Sequence, residues 1–208
     1  MIAVIDYGMG NLRSVEKALK KVGGRVRITS KPSDIAKCDK LVLPGVGAFG
    51  DAMNELKRLR LVAPIKDAIN EGKTFLGLCL GMQLLFDASE EAPGVKGLSV
   101  LGGNVKRFKF GKGGLKVPHM GWNVINKASS ASAGGPNILK NISDGSYVYF
   151  VHSYYVVPKD KKVTLTMTDY GIKFVSGVHK DNVYGFQFHP EKSQDLGLNI
   201  LSNFIRLR

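Results

Sequence analysis

Residues Met1 to Ile5 are apolar without interruption. After a glycine turn at Tyr7 to Gly10, Leu12, Val15, Leu19 and Val22 recur at the spacing of one helical face. The pattern predicts a strand over Met1 to Asp6, a helix with Asn11 as its N-cap, and a stop at Gly23-Gly24. The same alternation continues along the first half of the chain. Strands are expected at Arg25 to Ser30, Lys40 to Leu43 and Lys73 to Leu78. Helices are expected at Pro32 to Lys37, over Ala48 to Asn70 with a break at Pro64, and from Leu80 to about Ala88. Continuous apolar strands alternating with helices imply a parallel sheet covered on both faces.

Beyond Pro93 the period shortens to two and glycine becomes frequent. Strands, several of them antiparallel, are expected at Val105 to Phe110, Trp122 to Ile125, Tyr147 to His152, Val163 to Thr168 and Val183 to Phe188. Ala128 to Pro136 is small and polar, which predicts a surface loop. Leu196, Ile200, Phe204 and Leu207 mark a closing amphipathic helix from Ser193 onward. The expectation is a single α/β domain spanning residues 1–208, with a mixed, mainly parallel central sheet.

Composition changes this picture little. With 44% hydrophobic and 23% charged residues the chain reads as globular. It lacks an apolar run of transmembrane length and a leader-like start, so a cytoplasmic location is expected. Two cysteines cannot build a disulfide framework or a four-cysteine zinc site, and no metal or cofactor is expected. The net charge of +13 raises the question of nucleic acid. The densest basic stretch, Lys106, Arg107, Lys109, Lys112 and Lys116, is interleaved with Phe108 and Phe110. That interleaving could stack on bases, but it is also what a half-buried strand shows, and without a recognised nucleic-acid motif no nucleic-acid partner is expected.

Cys79 stands between Gly77 and Gly81 where an apolar strand must turn sharply into a helix. This is the spacing of a nucleophile elbow with cysteine in the serine position. Flanking small residues let the backbone bend and a substrate approach, and the helix start beyond favours thiolate. The same spacing also fits a buried cysteine whose glycines serve packing. A base must come from elsewhere. His189, at the end of an apolar strand, has Glu191 two residues on, which an extended backbone would place on the same face to orient the imidazole. Alone, such a histidine would read as a surface or core residue; beside a cysteine elbow it reads as the base. Pro44-Gly45-Val46-Gly47 follows a strand end where ligands of parallel sheets gather. Its backbone is read as half of an oxyanion hole, with the N–H of Leu80 as the other half, although taken alone the segment fits an ordinary turn between strand and helix better. Rotation about Val46 is expected to be cheap, with Gly45→Ala merely narrowing the backbone range. Gly8-x-Gly10 lacks the third glycine of a dinucleotide fingerprint.

The segments PGVGAFG, GLCLGMQLLF and GFQFHPEKS resemble the three signatures of the class I, or triad, glutamine amidotransferases. With DYGMGN, PHMGWN and YFVHSYY, the chain resembles over nearly its whole length the glutaminase subunits of imidazole glycerol phosphate synthase. The resemblance implies a three-layer, flavodoxin-like α/β glutaminase fold. It implies that Cys79 attacks the amide of glutamine, His189 moves the proton and Glu191 orients the ring. It further implies that Gln83, Glu91, Ser153 and Tyr154 hold glutamine, with Glu90 competing with Glu91 for the match. Asn11, Trp122, Tyr149 and Lys192 would face a separate (β/α)₈ cyclase subunit that receives ammonia in histidine biosynthesis; a helix N-cap, two structural aromatics and a solvated charge are the plainer readings of those four. Three other readings remain: a paralogue supplying a cyclase-like partner in cell-surface sugar amination, the glutaminase of pyridoxal phosphate synthase, and a catalytically silent basic binding protein.

Overall fold

A computed structural model describes residues 1–111, 113–128 and 137–207. The first half alternates as its apolar pattern requires: β1 (Ile2–Ile5), α1 (Leu12–Lys21), β2 (Val26–Thr29), α2 (Pro32–Lys37), β3 (Lys40–Leu43), α3 (Phe49–Arg58), α4 (Val62–Asn70), β4 (Thr74–Leu78) and α5 (Leu80–Gln83). The second half carries β5 (Ala88–Ser89), β6 (Gly103–Arg107), β7 (His119–Lys127), β8 (Ser146–His152), β9 (Tyr154–Pro158), β10 (Thr164–Asp169), β11 (Lys173–Lys180) and β12 (Val183–Phe186), and α6 (Gln194–Arg206) closes the chain.

Among the described residues, twelve strands join one mixed sheet whose main path runs β2-β1-β3-β4-β12-β11-β10-β7-β8. The segment β2-β1-β3-β4-β12 is parallel, and β12-β11-β10-β7-β8 is antiparallel. Strand side chains alternate between two cores, as the two-residue period demands. Ala3, Ile5, Leu41, Leu43 and Phe75 pack with Ile35, Met53, Leu56 and Ile65 of α2, α3 and α4. Ile2, Val4, Val42, Leu76 and Leu78 pack with Val15 and Leu19 of α1 and Ile200 and Phe204 of α6. Helices on both faces of a sheet make the expected three layers. Asn11 caps α1, its side chain accepting from the Ser14 N–H at 3.3 Å.

Several boundaries differ from the sequence reading for identifiable reasons. The helical region 48–70 breaks at Leu59 to Leu61, where Arg60 has φ +55°, and not at Pro64. Pro64 lies in the first turn of α4, where an absent N–H leaves no helical bond unmade. The helix after Cys79 lasts one turn instead of reaching Ala88. The carbonyls of Leu84 and Leu85 are taken by N–H groups of Leu98, Val100 and Leu101, so the ladder ends there. Strands β5, β9 and β11 fall outside the expected set, and the apolar run at Val183 ends its strand at Phe186. In the basic stretch, Phe108 is buried among Phe174, Tyr155 and His152, so the alternation is that of a half-buried segment and this ring cannot stack on a base. Lys112 and residues 129–136 of the expected loop lie outside the described residues. No helix among the described residues is long and apolar enough to cross a membrane.

Candidate active site

The carboxyl ends of β3, β4 and β12 lie side by side in the parallel half of the sheet. From them issue Pro44-Gly45-Val46-Gly47, Cys79 and the segment Gln187 to Lys192. Neighbouring parallel strands put their following loops at one edge, which is why residues 44, 79 and 189 meet.

Cys79 has φ +51° and ψ −107°, a strained conformation for a residue with a Cβ. Its N–H donates to the Phe186 carbonyl at 2.7 Å, and its carbonyl accepts from Met82 and Gln83, which pins the elbow between β12 and α5. The flanking glycines are steric necessities. A Cβ on Gly81 would stand 1.8 Å from the Leu43 carbonyl oxygen, and one on Gly77 would stand 2.6 Å from the Gly81 carbonyl oxygen. Because α5 is a single turn, its dipole is small, and individual N–H groups matter more than the helix. The Leu80 N–H finds no acceptor among the described residues.

His189 and Glu191 are both buried, with Nδ1 2.8 Å from Oε1. Their pairing does not come from an extended strand. Pro190 begins a 3₁₀ turn over Pro190–Lys192, and the turn brings the carboxylate back to the ring. The His189 N–H donates to the Tyr149 carbonyl at 2.9 Å, its carbonyl accepts from Ser193 Oγ, and Ser193 Oγ accepts from the Tyr149 N–H, so β8 fixes the loop. Burial works against the imidazolium, but interaction with Cys79 and Glu191 overcomes it and pushes the ring up to about 10. Nε2 of His189 is buried without a hydrogen-bond partner among the described residues, leaving it available to the thiol.

A cavity of about 460 Å³ opens over the cysteine, lined by Val46, Gly47, Cys79, Leu80, Gln83, Glu91, Pro118, Val151, His152, Ser153, Tyr154 and Lys192. Gln83, Glu91, Ser153 and Tyr154 thus line one cavity. Glu91 also accepts from the Phe49 N–H at 2.8 Å, whereas Glu90 turns away to the Arg107 N–H and to Lys109. Gly47 has φ +100°. The idea that Gly45→Ala is a mild change is wrong: a Cβ there would stand 2.6 Å from Tyr7 Oη, 2.8 Å from Leu80 Cβ and 3.1 Å from the Gly81 nitrogen. Tyr7 itself donates its hydroxyl to the Pro44 carbonyl at 2.8 Å.

Beside the cavity, Trp122 and Tyr149 pair across β7 and β8, their rings 6.0 Å apart, and Lys192 Nζ lies 5.7 Å from the Tyr149 ring centre. Met120, Trp122 and Tyr147 are 62%, 47% and 62% exposed, and Met120 pairs across the sheet with Val151, which lines the cavity. Asn11 is also exposed. Two residues at the site escaped the sequence reading. Gln187 is fully buried and its Nε2 lies 3.5 Å from Cys79 Sγ; its signal was a polar residue inside the apolar run VYGFQF. His152 lines the cavity, and the sequence assigns it no role there.

The family model for class I glutamine amidotransferases matches residues 3–207. Imidazole glycerol phosphate synthase subunit HisH of Syntrophotalea carbinolica is 51% identical over 98% of both chains. The protein of the same name from Aquifex aeolicus is 52% identical, covering 98% of this chain and 95% of its own. Among solved structures, PurLQS from Thermotoga maritima aligns with a TM-score of 0.73 at 18% identity, over 98% of this chain and 96% of that one. The glutaminase domain of Trypanosoma brucei CTPS, solved with bound acivicin, aligns with a TM-score of 0.66 at 19% identity, over 100% and 94%. Those structural likenesses speak for the fold, whereas full-length identity near one half together with the elbow, the buried His–Glu pair and the cavity speak for kinship: the chain belongs to the class I glutamine amidotransferases, in the family of HisH subunits.

Proposed function

We propose that the chain hydrolyses L-glutamine to glutamate and ammonia and passes the ammonia to a separate (β/α)₈ cyclase subunit, which forms imidazole glycerol phosphate in histidine biosynthesis. The chain acts as a single cytoplasmic domain. The observation that carries the reading is that Cys79, which lines the cavity at the strand ends, lies within reach of the buried His189–Glu191 pair.

The thiolate of Cys79 attacks the side-chain amide carbon, and the developing oxyanion meets backbone N–H groups of the Gly45-Val46-Gly47 segment and of Leu80. Imidazolium of His189, held in place and in charge by Glu191, gives its proton to the departing nitrogen, which leaves as ammonia. The neutral ring then takes a proton from water, which attacks the glutamyl thioester and releases glutamate and the thiolate. Gln83, Glu91, Ser153 and Tyr154 hold the substrate. Its ammonium suits the Glu91 carboxylate, and its carboxylate suits polar groups on the opposite wall. The exposed face bearing Trp122, Tyr149, Lys192 and Asn11 receives the cyclase, placing the ammonia exit beside the interface.

The test is glutamate release by the chain alone and with a histidine-pathway cyclase and its nucleotide substrate. Glutamine-dependent imidazole glycerol phosphate formation is the expected result. Glutaminase that no cyclase and nucleotide raise, with no cyclised product, would overturn the assignment.

A further inference from the structure

A chain of hydrogen bonds with only one permitted polarity ends on the nucleophile. It starts from a group that cannot donate, the Tyr154 carbonyl oxygen, which accepts from His152 Nδ1 at 2.8 Å and from Gln83 Nε2 at 3.2 Å. The same Gln83 nitrogen donates its other hydrogen to Gln187 Oε1 at 3.1 Å. With its oxygen thus used, the Gln187 amide presents Nε2 to Cys79 Sγ. Turning the Gln187 amide over would set two NH₂ groups against each other. Turning both amides over would set the Gln83 oxygen against the Tyr154 oxygen, so the backbone carbonyl decides both orientations.

The other arm obeys the same logic. His152 spends its Nδ1 hydrogen on Tyr154, so its Nε2 accepts from His119 Nδ1 at 2.9 Å. His119 Nε2 then accepts from Asn123 Nδ2 at 3.2 Å, and the second hydrogen of that amide goes to the Asp169 carbonyl at 2.8 Å. Each histidine has one tautomer available and both rings are neutral, so the arm stays locked.

We propose that Gln187 is a further catalytic residue, whose Nε2–H donates to Cys79 Sγ and favours the thiolate, with Gln83 and the Tyr154 carbonyl as positioning groups that set its amide the right way round. The proposal rests on Cys79 being the nucleophile. Gln187 is fully buried, so water does not compete for the donor. A hydrogen bond to an anionic acceptor is about twice as strong as one to a neutral acceptor, and a thiol is a poor acceptor, so the contact discriminates between the two states of sulfur. Gln83 therefore has two duties. Its nitrogen orients Gln187 while its oxygen, unpartnered among the described residues, remains for substrate.

The experiment is alkylation of Cys79 by iodoacetamide as a function of pH, followed by mass spectrometry of the Cys79 peptide so that Cys38 does not interfere. His189 and Tyr7, the ionisable groups whose charge bears on the thiol, stay in place. In Gln187→Met the midpoint moves up by about one pH unit, the size of one charge-assisted hydrogen bond. Below the midpoint the rate falls only about threefold, because a more basic thiolate is a better nucleophile. Gln187→Leu removes the donor as well and moves the midpoint in the same direction. Gln83→Met, which frees the Gln187 amide to turn, moves it less. Circular dichroism selects the variants that fold, and glutaminase kcat falls in them beyond any change in KM. An unmoved midpoint in any folded variant overturns the proposal. Glutaminase activity surviving in Cys79→Ser would instead overturn the nucleophile assignment itself.

Discussion

Tyr7 Oη and the Pro44 carbonyl are joined by a buried 2.8 Å hydrogen bond, and the same hydroxyl occupies the space a side chain on Gly45 would need. The turn after β1 is therefore packed directly against the segment assigned to the oxyanion. Gly45→Ala should destabilise the protein by about 2 kcal/mol, a typical overpacking cost, and lower glutaminase turnover. Adding Tyr7→Phe to it removes the nearest clashing atom and should recover part of the loss in urea-denaturation midpoint. Strict additivity of the two changes would mean that they do not meet. Gly47→Pro should abolish turnover, since φ +100° is closed to proline.

Loss of the nucleophile should separate activity from stability. Cys79→Ala and Cys79→Gly should both be inactive with glutamine, yet should support cyclase synthesis from added ammonium salts. Cys79→Gly should be the more stable of the two by about 1 kcal/mol, because only glycine is unstrained at a positive φ of this kind. Equal denaturation midpoints would remove strain at the elbow from the account.

His189→Ala should reduce kcat nearly as far as loss of Cys79, roughly 10⁴-fold or more, and Glu191→Gln should be roughly tenfold less damaging. The amide still holds the ring, but it no longer supplies the charge that helps raise the His189 pKa to about 10. The imidazole of Glu191→Gln, followed by NMR, should accordingly titrate at lower pH than the parent. A parent-like titration would show that Glu191 acts by position alone.

His119 and His152 should make the fold acid-sensitive. Burial pushes His119 down to about 4 and His152 down to about 3, so both are neutral in the fold and would bind protons near 6.5 once unfolded. Their stabilising contribution is complete above pH 6.5 and is lost as pH falls toward 4, at up to about 2.7 kcal/mol per pH unit for two protons. His189 adds nothing in that window, being protonated in both states. His119→Asn should flatten the slope of unfolding free energy against pH between 6.5 and 4 by up to about half. A slope identical to the parent's would contradict the neutral, locked pair.

Periodicity and spacing alone are enough to place the strands and most helix starts of the first half, the elbow at Cys79, and His189 with Glu191 beside it. In β1, α1 and β3 each local preference agrees with its place in the fold, because apolar period, caps and glycine stops are short-range signals. Several of the departures come from distant chain segments. The helix after Cys79 ends early because Leu98 to Leu101 take the carbonyls just beyond it, and β9 exists through its pairing with β6, far earlier in the chain; β11 instead pairs with its chain neighbours β10 and β12 through tight turns. The His189–Glu191 pair was legible as a spacing, but its geometry comes from the turn at Pro190 and the anchoring of that loop to β8. The part played by Gln187 was decided only in three dimensions. The direction of its amide is set by a carbonyl on β9 through a side chain on α5, and no one-dimensional pattern carries the polarity of hydrogen bonds between segments that meet only when the sheet closes.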